Sequence, residues 1–89
     1  MVFLSCLGGE EREIKFENKT AVAVLVTFQG TRLRLERGET KGLGTREDLP
    51  PFHVKIEDDD AGIVILDKTF TWEALREAGF RVVIPAEGR

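Results

Sequence analysis

The chain has 89 residues, of which 42% are hydrophobic and 33% charged, and it carries a net charge of −3. These values predict one folded domain spanning residues 1–89, and they exclude a disordered chain and a general attraction to nucleic acid or anionic membranes. One cysteine, Cys6, excludes an internal disulfide, and no apolar run approaches the ~20 residues of a membrane helix.

Residues 1–7 (MVFLSCL) open the chain with an apolar run, within an N-terminal segment of residues 1–9. This run lacks a basic n-region and is too short for a signal peptide with its flanks. We therefore expect a cytoplasmic protein in which residues 1–7 form a strand, or dock on this fold or on a neighbouring chain. Residues 86–89 are expected to fray.

Asparagine and glutamine each occur once, as Asn18 and Gln29, beside 13 basic and 16 acidic residues. Few amides with many charges are typical of proteins from thermophiles. We expect a melting temperature above the ordinary mesophile range.

Alternation of apolar and polar residues predicts seven strands. The residues predicted to form them are 13–17, 20–28, 32–36, 40–45, 52–57, 63–70 and 80–84. The second strand (TAVAVLVTF) is apolar on both faces, so we place it in the centre of its sheet with both faces covered. Between the fifth and sixth strands, residues 58–62 (DDDAG) predict a hairpin turn with Gly62 at positive φ.

One helix is predicted at residues 71–78. Thr71 is a good N-cap, and Gly79 ends the helix in the left-handed conformation, with Phe80 packing beyond it. Trp72, at the first helical position, is expected to pack where the helix meets the sheet.

Seven short strands predict a mostly β fold, an antiparallel β-sandwich with one short helix before the last strand. The alternative is an α+β fold with a helix packed on one sheet. A thin core makes a ligand pocket between the sheets a weaker hypothesis.

His53 is the single histidine, and its alternation with Phe52 and Val54 places it on the polar face of a strand. Nothing around Ser5 or Cys6 resembles an activated nucleophile. We therefore predict no catalytic residue, no cofactor site and no enzyme activity.

Asp58, Asp59 and Asp60 are the candidates for a metal site, because calcium prefers oxygen ligands. Contiguous aspartates do not fit the calcium-loop spacing of an EF-hand, and a charge run is ordinarily a solvated turn. We therefore predict no metal site.

Arg32 and Arg34 share one strand face, with Arg37 and Lys41 nearby. No exposed aromatic residues interleave them for base stacking. We interpret this stripe as charges that protect a strand edge, and not as a nucleic-acid site.

Residues 14–20 (IKFENKT), residues 24–30, Gly38 and residues 60–62 (DAG) resemble the β-domain of the von Hippel–Lindau family. That family has a strand ending in Asn-Arg-Ser/Thr, a hydrophobic strand, a glycine-containing turn and a downstream glycine. The resemblance implies a prealbumin-like β-sandwich. It implies no binding residue, because the family's pocket of His, Trp and Tyr has no counterpart here and His53 is offset by one position.

The function that follows is a non-enzymatic binding or protein-interaction module, with a protein partner or self-association through residues 1–7. The alternative is a metal-dependent or hydrolytic enzyme that uses His53 with the acidic turn. The alternative requires His53, Asp58 and Asp60 to converge, and the strand prediction keeps them apart.

Overall fold

The computed structural model describes residues 10–84, which form seven strands and one helix. Along the chain these are β1 (Glu11–Asn18), β2 (Val24–Phe28), β3 (Thr31–Leu35), β4 (Thr40–Arg46), β5 (Phe52–Asp58), β6 (Val64–Phe70), α1 (Trp72–Glu77) and β7 (Arg81–Ile84). The predictions for residues 1–9 and 86–89 lie outside the described residues.

The strands form two sheets, one of three strands in the order β4-β1-β7 and one of four in the order β3-β2-β5-β6. The predicted sandwich is therefore confirmed, and the single-sheet alternative is wrong. All the strand pairs are antiparallel except one, since β7 lies parallel to β1. Helix α1 returns the chain to the end of the sandwich where β1 begins, so β7 starts beside β1 and runs the same way.

Apolar side chains from both sheets and from α1 fill the space between the sheets. The buried set comprises Ile14, Phe16, Val24, Val26, Phe28, Leu35, Phe52, Val54, Ile56, Trp72, Leu75, Phe80, Val82 and Ile84. Trp72 lies between two other rings, with centroids 5.3 Å from Phe52 and 5.1 Å from Phe80. The prediction that Trp72 packs at the meeting of helix and sheet is confirmed.

The second strand is shorter than predicted. It lies inside its sheet between β3 and β5, as expected, but it begins at Val24 and not at residue 20. Only one face is fully buried, since Leu25 and Thr27 on the other face are half-buried and Val22 is 42% exposed. The prediction of a strand covered on both faces is wrong, because residues 19–23 are used to cross from one sheet to the other.

Asn18 organises this crossing. It is fully buried, and its Nδ2 donates to the carbonyl oxygens of Val22 (2.8 Å), Leu35 (3.2 Å) and Glu36 (3.1 Å). Its Oδ1 accepts from the backbone N–H of Thr20 (2.9 Å) and from the Thr20 hydroxyl (2.6 Å). A buried amide satisfied in this way fixes the corner between the two sheets.

Helix α1 has the caps that its sequence predicts. The Thr71 hydroxyl accepts from the Ala74 N–H (3.0 Å), and Gly79 has φ +72°. The N–H of Phe80 donates to the Leu75 carbonyl (2.8 Å) and that of Gly79 to the Arg76 carbonyl (3.0 Å), the two bonds of a Schellman motif.

Candidate interaction site

The outer edge of β6 is the most exposed apolar feature of the described residues. β6 pairs with β5 on one side and, within residues 10–84, with no strand on the other. On an edge strand, the backbone N–H and C=O groups of alternate residues point away from the sheet and can pair with another chain. We call this outer side of β6, together with Ile63, the β6 edge.

The first half of the β6 edge is the apolar run of residues 63–66 (IVIL), and it carries no charge. Ile63 is 63% exposed and Val64 is 47% exposed, while Ile65 and Leu66 are half-buried. The second half carries the exposed charges of Asp67 and Lys68. A one-residue bulge at Ile65, opposite Ile56 and Glu57, adds local twist. Charges and a bulge are common protections of an edge, and the charges here guard only half of it.

The other sheet edges in the described residues differ from the β6 edge. β3 exposes Arg32 and Arg34, which confirms that the arginine stripe lies along a strand edge. β4 exposes Lys41 and has two glycines, and β7 has only four residues, with Arg81 at its start. The β6 edge therefore stands out because its exposed apolar residues are consecutive.

The sequence prediction places an interaction at residues 1–7 and does not single out residues 63–66. The sequence did contain a signal for this surface, namely four consecutive apolar residues directly after a charged turn. That they lie on an edge strand follows from the order of the strands, which periodicity does not reveal.

His53 lies on the outer face of the four-stranded sheet, as predicted, but with partners that the sequence did not suggest. Its Nε2 lies 2.6 Å from Asp67 Oδ1, and its Nδ1 lies 2.8 Å from Thr69 Oγ1. β5 and β6 are neighbours in register, with His53 opposite Thr69, and this register brings the three side chains together.

This row contains a hydroxyl, an imidazole and a carboxylate in hydrogen-bonded sequence, the residue types of a nucleophilic triad. Both His53 and Asp67 are half exposed to solvent on an open sheet face. Nucleophilic catalysis also needs donors aimed at an oxyanion and exclusion of water. The row can hold the imidazole in place, and it presents the polar flank of the β6 edge.

The acidic turn is held by its own backbone and by one arginine. Asp58 Oδ1 accepts from the N–H groups of Asp60 (2.7 Å) and Ala61 (3.1 Å), and Gly62 has φ +72°, as predicted. Arg34 Nε donates to Asp59 Oδ2 at 2.8 Å. Asp58 is therefore a turn-forming group, and Asp59 is the partner of an arginine on a neighbouring part of the sheet.

The candidate residues of the hydrolytic alternative do not converge. His53 is the second residue of β5 and Asp58 is the last, a separation of about 17 Å along an extended strand. Within residues 10–84, no three His, Cys, Asp or Glu side chains form a group that could hold a metal ion.

Glu10 joins the start of β1 to helix α1. Its Oε1 accepts from Arg76 Nη2 (2.7 Å) and from Trp72 Nε1 (3.3 Å), and its Oε2 accepts from Arg12 Nε (2.7 Å). The guanidinium of Arg76, followed by that of Arg12, lowers the pKa of Glu10 from 4.5 to about 2. These bonds fasten the end of the sandwich opposite the apolar run, so they serve stability.

Comparison of this chain with protein-family models, curated proteins and solved structures gives no match. In the described part of the chain, no helix has the length and hydrophobicity needed to cross a membrane.

Proposed function

We propose that this chain is a non-enzymatic protein-interaction module that binds an extended polypeptide strand along the β6 edge. The observation that carries the proposal is the exposure of Ile63 and Val64 at the start of a strand that is paired on one side only within residues 10–84. In β-strand addition, main-chain hydrogen bonds supply affinity and alternate side chains supply specificity.

The flanks of the edge define the chemistry of the partner strand. Ile63 and Val64 favour an apolar partner at one end, where burial contributes roughly 25 cal/mol for each Å² of apolar surface. Asp67 and Lys68 at the other end favour a polar or charged partner segment. The sandwich fold implied by the von Hippel–Lindau resemblance is compatible with this mode, and no binding residue comes from that resemblance.

A labelled peptide of alternating threonine and valine, of the same length as the seven residues of β6, tests the proposal. We expect the full chain to bind it with micromolar or weaker affinity, measured by fluorescence anisotropy. Val64→Lys adds a charge to the apolar run and should weaken binding about tenfold, or ~1.4 kcal/mol.

Leu49→Lys is the matched control, because Leu49 is exposed to a similar extent (48%) in the loop before β5. The control should bind as the wild type does. Equal binding by all three proteins, or no binding by any, would contradict the proposal.

A hydrolytic activity is the second candidate, favoured by the hydrogen-bonded row of Thr69, His53 and Asp67. This candidate differs from the hydrolytic enzyme predicted from the sequence, because its carboxylate is Asp67 and not the acidic turn. The Thr69 hydroxyl would be its nucleophile. Its support is weaker, because the row lies on an open face. Residues 1–7 lie outside the described residues, so the self-association predicted for them stays a prediction.

A further inference from the structure

We infer that a groove above Gly44, on the outer face of the three-stranded sheet, is the docking site of residues 1–7 of the same chain. The groove lies between Glu13 on β1, Gly44 on β4 and Leu49 in the loop after β4. Its volume is about 470 Å³, and most of the surface that lines it is carbon. Ordinary ligand clefts span roughly 300–1,000 Å³, so the groove can take up side chains. The inference is independent of the proposed function, which concerns the other sheet.

The floor of the groove is uncovered. Gly44 has no side chain, and an added Cβ there would meet no atom within 4 Å. Glu13 lies opposite Gly44 in the register of β1 and β4, but its side chain lies over Gly42. There the Glu13 carboxylate fills the position that a Cβ on Gly42 would take. A glycine inside a strand often marks a place where another segment of backbone approaches closely.

Leu49 forms an apolar wall of the groove, and its loop is held in place. Gln29 Nε2, in the turn between β2 and β3, donates to the carbonyl oxygens of Leu49 (2.5 Å) and Pro51 (3.2 Å). The Oε1 of Gln29 accepts from the Thr45 hydroxyl (2.8 Å). The Leu49 residue nevertheless stays 48% exposed, so an apolar occupant of the groove would remove it from water.

The chain enters the sandwich beside this groove. The carbonyl oxygen of Glu10, the first described residue, accepts from the N–H of Glu47 (2.8 Å), two residues before Leu49. Leu7 precedes Glu10 by three residues, so an extended chain places it at most about 11 Å from Glu10. The exposed Val64 begins β6 at the opposite end of the sandwich. The groove is therefore the apolar surface nearest to the point where residues 1–7 join the fold.

Residues 1–7 (MVFLSCL) have the composition that fits such a groove. They carry no charged side chain, and five of the seven are Met, Val, Phe or Leu. Gly8 and Gly9 join them to Glu10, and glycine readily takes the positive φ values of a tight reversal. A reversal at these glycines lays the segment back over β1 and β4. An occupant attached to its site acts at a high effective concentration, so a shallow groove is sufficient to hold it.

Urea denaturation of variants of the full chain tests the inference through a double-mutant cycle. The segment variant carries Phe3→Ser and Leu7→Ser, two positions on one side of an extended chain, and the groove variant carries Leu49→Ser. Each variant should raise the unfolding equilibrium constant by about threefold or more. The combined variant should fall short of the product of the two effects by about threefold, because either change alone already breaks the contact.

Val83→Ser is the matched control, because Val83 is 44% exposed on β7 of the same sheet, between the buried Val82 and Ile84. The effect of Val83→Ser should multiply with that of the segment variant, without coupling. Coupling of the segment variant to Val83→Ser and not to Leu49→Ser overturns the inference, as does the absence of coupling to either.

Sedimentation velocity at the same protein concentrations separates docking within one chain from exchange between two copies. Coupling in a chain that stays monomeric supports the inference, and coupling in a chain that sediments as a dimer overturns it. Binding of the threonine–valine peptide to the β6 edge is a separate readout, so either proposal can fail while the other stands.

Discussion

The side-chain Nδ2 of Asn18 donates to the carbonyl oxygen of Leu35 at 3.2 Å, and this bond ties the last residue of β1 to the last residue of β3. The two residues belong to different sheets, so the bond joins the halves of the sandwich at a corner. The side chain of Leu35 is fully buried in the core, so the residue that accepts this bond is also held by apolar packing.

Asn18→Ala should therefore be strongly destabilising. It leaves the Leu35 and Glu36 carbonyls and the Thr20 N–H without their side-chain partner, and each unsatisfied buried group costs about 1–3 kcal/mol. We expect a loss of about 3 kcal/mol in the free energy of unfolding, measured by urea denaturation. Lys19→Ala, at the exposed neighbouring position, should change it by less than about 0.5 kcal/mol. Similar effects of the two substitutions would contradict this role of Asn18.

The end of helix α1 gives a prediction with an internal control. Gly79 has φ +72°, a conformation that costs an L-residue about 1–2 kcal/mol, although an added Cβ would meet no atom within 4 Å. Gly79→Ala should lower the free energy of unfolding by about 1 kcal/mol. Gly44 in β4 has the same open space without the positive φ, so Gly44→Ala should raise stability by about 0.5 kcal/mol. Thermal or urea denaturation measures both, and effects of equal sign would contradict the conformational explanation.

Glu10 makes stability depend on pH in the acid range. Its pKa is about 2 in the folded protein and is lowered from 4.5, so the folded state favours the ionised carboxylate. The contribution of Glu10 is complete above pH 4.5 and is lost as the pH falls towards 2. Between these two pH values, the wild type should lose more stability than Glu10→Gln. Parallel pH profiles of the two proteins would show that the Glu10 carboxylate does not contribute in this way.

The local features of the fold were predictable from the sequence, because their causes are local. Thr71 and Gly79 lie within one turn of the helix that they cap, and the alternation of Phe52, Val54 and Ile56 determines which face of β5 is buried. The turn at residues 58–62 is likewise formed by the aspartate and glycine that predicted it.

The unpredicted features depend on contacts between distant residues. Asn18 bonds to carbonyl groups 17 and 18 residues away, and His53 meets Thr69 across 16 residues. Neither contact follows from periodicity, which gives no register between strands. The start of β2 was predicted too early, because Val22 continues the apolar alternation of the strand. In the structure the corner around Asn18 occupies the preceding residues, so β2 begins only at Val24.

The row of His53, Asp67 and Thr69 separates the two proposed functions. If the chain is an interaction module, hydrolysis of p-nitrophenyl acetate by the wild type should equal that by Thr69→Val, because an exposed imidazole such as that of His53 attacks this ester without help from Thr69. The exposed His53–Asp67 pair should then contribute less than about 1 kcal/mol to stability. A rate that falls on His53→Ala and on Thr69→Val, with folding preserved, would support the hydrolytic candidate in its place.

The central claim is that the β6 edge pairs with another strand, and amide hydrogen exchange of the full chain, resolved by residue with NMR, tests it most directly. With excess threonine–valine peptide, exchange should slow at the outward-pointing N–H groups of Val64–Phe70, because they gain acceptors on the partner strand. The amides of the β3 edge should exchange at their original rates. Unchanged exchange along β6 in the presence of the peptide would contradict the claim.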